Sequence, residues 1–175
     1  MVGSLGRSAA ILALVVINTT ALAHANTAAG FDHVRSDRAP IRALLASGYE
    51  RSATFRRLVD DIGQLPGIVY ITETVKLSQC MDGALLHAVG GSGQMPILRV
   101  VIKTNLAGDY AIGVLAHELQ HVAETLRAGP LTSGTAMGAL FASLDRDGSS
   151  SKFETEEARL VAARVIEELR GTAKR

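Results

Sequence analysis

His117-Glu118-Leu119-Gln120-His121 is the stretch on which the reading of this chain turns. It has the form H-E-x-x-H. In an α-helix, residues four apart share a face, so both imidazoles can converge on one metal ion. Glu118 lies one step round from His117 and can take a proton from a water that the metal activates. With this chain's own His and Glu frequencies, the pattern arises by chance about once in a hundred sequences of this length. The motif predicts zinc ligands at His117 and His121 and a general base at Glu118. The alternative is a solvated helix face with two incidental histidines.

The flanking residues predict that helix. Asp109 is a candidate N-cap and Gly129-Pro130 a stop, so the segment runs over about 110–127. Ile112, Leu115, Leu119, Val122 and Leu126 follow the spacing of a buried stripe. At about 100° per residue, His117 and His121 point nearly opposite that stripe, and Glu124 shares their side.

Zinc that keeps a position open for water needs a third protein ligand. Glu124 is badly placed for it, because it lies about 10.5 Å from His117 along the helix axis. It can instead orient the His121 imidazole, three residues away; an exposed helix carboxylate is the equal alternative. The last helix offers a better ligand. Ser151-Lys152-Phe153-Glu154 introduces a helix reaching about Arg170, with Ser150 or Ser151 as cap. Ala158, Val161, Val165 and Leu169 mark its apolar face, and Glu154 projects from the same face. An inward carboxylate is costly unless it is paired or binds metal. Glu154 is therefore the candidate third ligand, ahead of Glu157 at the margin of that face, with Glu156 pointing away. A first-turn Glu stabilised by the helix dipole is the plainer reading.

The H-E-L-Q-H helix, followed downstream by Phe153-Glu154-Thr155, resembles the gluzincin arrangement of zinc metallopeptidases. More narrowly, it is similar to small bacterial proteins with a minimal zincin core. The resemblance covers about residues 66–170. It implies zinc held by His117, His121 and Glu154, Glu118 as catalytic base, and a peptide or protein as substrate. It also implies an extended substrate lying along an edge strand, for which Ile97 to Lys103 is the candidate, an internal strand being the equal alternative. There are departures. Ala158 stands where many gluzincins carry an acidic residue, and no His or Tyr lies between 122 and 175. The residues after Gly129 do not make the third-His motif of metzincins. A non-catalytic zinc-binding or interaction domain on the same scaffold is the competing class.

Arg7 precedes the apolar run Ala9 to Ile17, and Ala23-His24-Ala25 fits a small-x-small cleavage site. That run is short for a membrane span. Residues 1–25 are expected to be a secretory signal peptide, cut after Ala25 or after Ala23, which places the chain in the periplasm or outside the cell. Its removal takes away only Arg7 and leaves 17 basic and 17 acidic side chains. A neutral chain argues against nucleic acid as a partner. No second apolar run is long enough to span a membrane. Cys80 is the only cysteine, so no internal disulfide forms, and a lone Cys is most often a small buried hydrophobe.

The remainder reads as scaffold. Residues 26–40 are expected to be mobile and 41–175 to form one domain. Ile41 to Ala46 and Thr54 to Ile62 suggest two helices separated near Gly48. Ile68 to Thr72, Ala84 to Val89 and Ile97 to Lys103 suggest strands, the last two joined by a hairpin loop at Gly90 to Gln94. His87 reads as a structural or surface histidine. A further helix is expected near Thr135 to Leu144, and Asp145 to Ser150 as a turn with a poor match to a calcium loop. The expected fold is α+β and zincin-like. Its small sheet is mainly antiparallel and carries the H-E-x-x-H helix and a C-terminal ligand-bearing helix.

Overall fold

The β-branched run after Pro66-Gly67 forms the strand its composition predicts, and it is the strand from which the rest of the sheet is built. The computed structural model describes residues 31–78, 80–86, 95–129, 131, 133–144 and 154–172. Among these, five helices and a four-stranded mixed sheet make an α+β fold. The order along the chain is β1 (Val34–Arg35), α1 (Ala39–Arg51), α2 (Ala53–Gly63), β2 (Ile68–Thr74), β3 (Gly83–Leu86) and β4 (Ile97–Lys103). The helices α3 (Gly108–Ala128), α4 (Gly134–Leu144) and α5 (Glu156–Thr172) follow. The expected signal peptide, His87, the Gly90 to Gln94 loop, the Asp145 to Ser150 turn and the Ser150 or Ser151 cap lie outside the described residues.

The sheet is not mainly antiparallel. Its strand order is β1-β2-β4-β3; β1 pairs parallel with β2, β2 parallel with β4, and only β3 runs antiparallel, against β4. The physical reason lies in the connections. α1 and α2 carry the chain back between β1 and β2, and a crossover of that kind returns a strand in parallel. β4 then inserts between β2 and β3, so these two sequence neighbours do not pair. Ile97 to Lys103 is consequently an internal strand, the second of its two readings, and not the candidate edge. The edge nearest α3 is β3. Residues 31–40, expected to be mobile, contain β1 and the start of α1, and Val34 is fully buried opposite Val69.

Alternate residues of the central strands (Val69 and Ile71, then Leu98, Val100 and Ile102) face the helices and are buried in one core. α3 runs through the middle of that core. Its predicted stripe is buried, but so are Ala111, Ala116 and Ala123, because α5 packs on another side of it. The approach is close enough that a methyl group at Gly113 would stand 2.6 Å from Ile166. α3 starts two residues earlier than predicted, after Ala107, and Asp109 is not its cap. Asp109 lies in the first turn and pairs with Arg51 at 2.8 Å. The break between α1 and α2 falls at Ser52, not near Gly48. Gly48 is inside α1, where its missing side chain admits Ile112 and Phe55. The Ser52 hydroxyl accepts from the Phe55 amide and so caps α2. Cys80 is exposed rather than buried.

Glu168 of α5 holds the start of α2 in place. It accepts from the Ser52 hydroxyl (2.7 Å), the Thr54 hydroxyl (2.6 Å) and the Thr54 amide (3.0 Å). Burial works against its ionisation, but the bonds from Thr54 and Ser52 outweigh it and keep the carboxyl below its ordinary range. A depressed folded-state pKa adds stability above the unfolded-state value, and the contribution is lost as pH falls through the folded value. Glu168→Gln is therefore expected to lower the thermal midpoint at neutral pH, with the gap to wild type closing in acid. Thermal melts across that pH range check this, and a gap independent of pH would count against it.

Candidate metal centre

Two helices and one sheet edge bring the site together. α3 supplies both histidines because its i and i+4 positions stack. His117 Nε2 and His121 Nε2 face each other at 3.2 Å. Glu154 arrives from the far end of the chain. Its Oε1 lies 3.3 Å from His117 Nε2, and the three ligand atoms fall within 4.8 Å of one another. Glu154 is not on the apolar face of the last helix, as its sequence position suggests. It immediately precedes that helix, whose first residue is Glu156. Thr155 caps the helix, its hydroxyl accepting from the Ala158 amide at 3.2 Å. Glu156 and Glu157 are exposed, and neither belongs to the cluster that His117, His121 and Glu154 make.

The donor set fits a divalent metal. Glu154 Oε1 is buried and has no hydrogen-bond partner, although His117 is close by. Buried oxygens without a partner are uncommon, and a bound cation is one way to satisfy them. On the histidine side, Glu124 Oε2 accepts from His121 Nδ1 at 3.0 Å. Holding the proton on Nδ1 leaves the Nε2 lone pair directed at the cluster. Ligands at about 2.0–2.1 Å in tetrahedral array stand roughly 3.3 Å apart, close to the two shorter separations here. Burial pushes the His117 imidazole below its ordinary value, Glu154 opposes that shift, and His121 adds to it. A neutral imidazole is the form that ligates.

Glu124 is therefore a largely enclosed carboxylate bonded to the His121 imidazole, not a solvated one. Burial raises its pKa, but the bond from His121, aided by Gln120 and Thr155, brings it below the ordinary range. Phe141 of α4 closes the other side of His121, the ring centroids 4.9 Å apart in an edge-on arrangement. Gln120, Phe141 and Thr155 belong to the surroundings of the site, and the motif gave no sign of them. For Thr155, the available signal was its place beside Glu154 at the start of a helix.

Glu118 lies against β3, its Oε1 beside the Gly83 backbone. It is 7% exposed. Its pKa is raised to about 7, chiefly by burial, with His121 pulling it down, Glu154 pushing it up and the Leu85 amide pulling it down. The amide of Lys103 donates to Asp82 O. With the β3–β4 register, this bond turns the backbone groups of Gly83 and Leu85 away from β4, toward the side on which no strand pairs among the described residues. The Leu85 amide uses this freedom to reach Glu118. Gly83 makes the approach possible, since a Cβ there would stand 2.7 Å from Glu118 Oε1. The obstacle would be the end of a flexible side chain, which can move. Gly83→Ala is thus expected to leave the fold and the zinc affinity intact while displacing Glu118 and lowering any hydrolytic rate. Parallel zinc titration and rate measurements decide it; a variant as fast as wild type would show that the Gly83 approach is irrelevant.

Compared with family models, with curated proteins and with solved structures, the chain matches none.

Proposed function

We propose that the protein is a zinc-dependent hydrolase of peptide bonds, built on a minimal zincin-like scaffold and exported from the cell. The observation that carries the reading is the meeting of His117, His121 and the unpartnered Glu154 oxygen beside a separate buried carboxylate, Glu118. These residues supply two functions that hydrolysis needs: a ligand set and a base that is not a ligand. Zinc, when bound, would polarise a carbonyl and activate water. Glu118, beside the Gly83 backbone, would accept the proton of that water. Glu124 keeps His121 in the ligating tautomer throughout.

The outward backbone groups of Gly83 and the outward carbonyl of Leu85 give an extended peptide an edge with which to pair. Such pairing binds the substrate backbone rather than particular side chains, so the substrate class is a peptide segment in extended form. Residues 1–25 are read as the export signal, giving a periplasmic or secreted protein. Among the described residues, no helix is long and apolar enough to cross a membrane.

A zinc-binding domain without turnover is the second reading. It is favoured by the lack of any His or Tyr after His121 to donate to a developing oxyanion. Metal analysis of the purified protein, followed by digestion of a broad peptide library with and without a chelator, separates the two. Zinc with chelator-sensitive cleavage supports the hydrolase. Zinc without cleavage supports the second reading, and no zinc removes both.

A further inference from the structure

The contacts around the metal cluster close into a circuit that runs through one residue with no part in the motif. His121 Nδ1 donates to Glu124 Oε2 (3.0 Å), and Glu124 Oε1 accepts from the Thr155 hydroxyl (3.0 Å). Thr155 is bonded in sequence to Glu154, which reaches His117 at 3.3 Å, and His117 faces His121 at 3.2 Å. Thr155 is the place where the support of one ligand and the backbone of another coincide. It is only 2% exposed, although it carries a hydroxyl. That hydroxyl uses both of its capacities. It donates its proton to Glu124 and accepts from the Ala158 amide (3.2 Å), which caps α5.

Resting on the metal-centre reading above, we propose that Thr155 is a positioning residue that sets the geometry of the metal site from two directions. Through Glu124 it fixes the tautomer and ring orientation of His121. Through the α5 cap it fixes the backbone from which Glu154 reaches the cluster. Glu124 has one further donor, Gln120 Nε2 at 3.2 Å. Gln120 lies on α3 with Glu124 and both histidines, so its bond cannot register α3 against α5. The Thr155 bond does. It is the hydrogen bond that ties the helix carrying two ligands to the turn carrying the third. The circuit explains why an uncharged, buried hydroxyl stands between an acidic ligand and an acidic support. A hydroxyl can give a proton to the Glu124 carboxylate while accepting from the backbone, which neither an apolar residue nor a carboxylate can do.

The test uses the full chain and zinc alone, titrated in competition with a chromophoric chelator. Thr155→Val removes the hydroxyl at nearly constant volume, and removing a partner that orients a ligand typically weakens metal binding about 10–100-fold. Thr155→Ser keeps both bonds and is expected to stay close to wild type. The cap and the metal role are separated by repeating the comparison in a Glu124→Ala background. If Thr155 acts by both routes, the Val substitution costs clearly less zinc affinity there than in wild type, the remainder being what the lost cap does to Glu154, while the loss of thermal midpoint without zinc persists. Should the Val variant fail to fold, Thr155→Asp takes its place. It keeps a capping oxygen, and zinc is titrated above neutral pH, where both carboxyls are ionised and the Asp has no proton for Glu124, so weakened zinc binding is again expected. Zinc binding by wild type with an unaffected Val or Asp variant would overturn the positioning role and leave the metal centre standing. The same holds for an equal Val effect in the presence and absence of Glu124. Wild type that binds no zinc would overturn both.

Discussion

Glu118→Gln is expected to lower peptide hydrolysis by about 10²–10⁴-fold, the range by which a positioned general base contributes, with zinc affinity left near wild type. The separation follows from the geometry. Glu118 is turned toward Gly83 and Leu85 of β3 and is outside the His117, His121 and Glu154 cluster. Gln has almost the same shape and can still accept from the Leu85 amide through its carbonyl oxygen, so the local fold is retained. What it loses is the capacity to take a proton. Rates on a cleaved library peptide, beside zinc stoichiometry of the same preparation, read both properties. A variant as active as wild type would mean that another group is the base. A variant that loses zinc together with activity would mean that Glu118 supports the ligands rather than the reaction.

The second large effect belongs to the ligands. His117→Ala, His121→Ala and Glu154→Ala are each expected to weaken zinc binding by more than the roughly 10–100-fold cost of removing a residue that merely orients a ligand. Glu156→Ala, two positions from Glu154 but exposed, is expected to change nothing. Stability gives an independent reading. Zinc at about 100 times its Kd adds about 2.7 kcal/mol to the folded state, or roughly 5–10 °C in the thermal midpoint of a chain this size. The three ligand variants at the same zinc concentration are expected to show little of that shift. Glu154→Ala is the informative member. It removes a buried oxygen that has no partner without zinc, so its midpoint in chelator is expected to match or exceed that of wild type. A Glu154 variant stabilised by zinc as strongly as wild type would take this residue out of the site.

Much of the site was legible without coordinates because a helix is periodic. Once His117, Glu118 and His121 are placed on one helix, their i and i+4 geometry follows from 3.6 residues per turn. The structure accordingly brings the two imidazole nitrogens to 3.2 Å. Glu154 was reached by a different route, through the cost of a carboxylate on an apolar face. The residue was in the cluster, but the stated reason did not hold, since the helix starts after it. What placed Glu154 was the cap at Thr155, a local signal that the reading assigned to Ser150 or Ser151. The α1–α2 boundary was misplaced for a similar reason. Gly48 looks like a breaker, yet its lack of a side chain serves packing against Ile112 and Phe55. Whether a glycine breaks a helix or admits a neighbour depends on a neighbour 64 positions away in the chain, Ile112.

The sequence by itself determined the elements that local periodicity and composition encode: the H-E-x-x-H helix with its two histidines and Glu118, the central β2 and β4 strands, and the helical C-terminus. Those properties depend on residues a few positions apart, and the chain carries them wherever it folds. Only the tertiary structure decided that β4 inserts between β2 and β3, making β3 the edge strand beside the metal helix. It alone brought Gly83 and Leu85 to Glu118, and Thr155 to Glu124 across 31 residues of chain. Strand order and these contacts are set by which surfaces bury one another best, a comparison over the whole core that no short window of sequence contains.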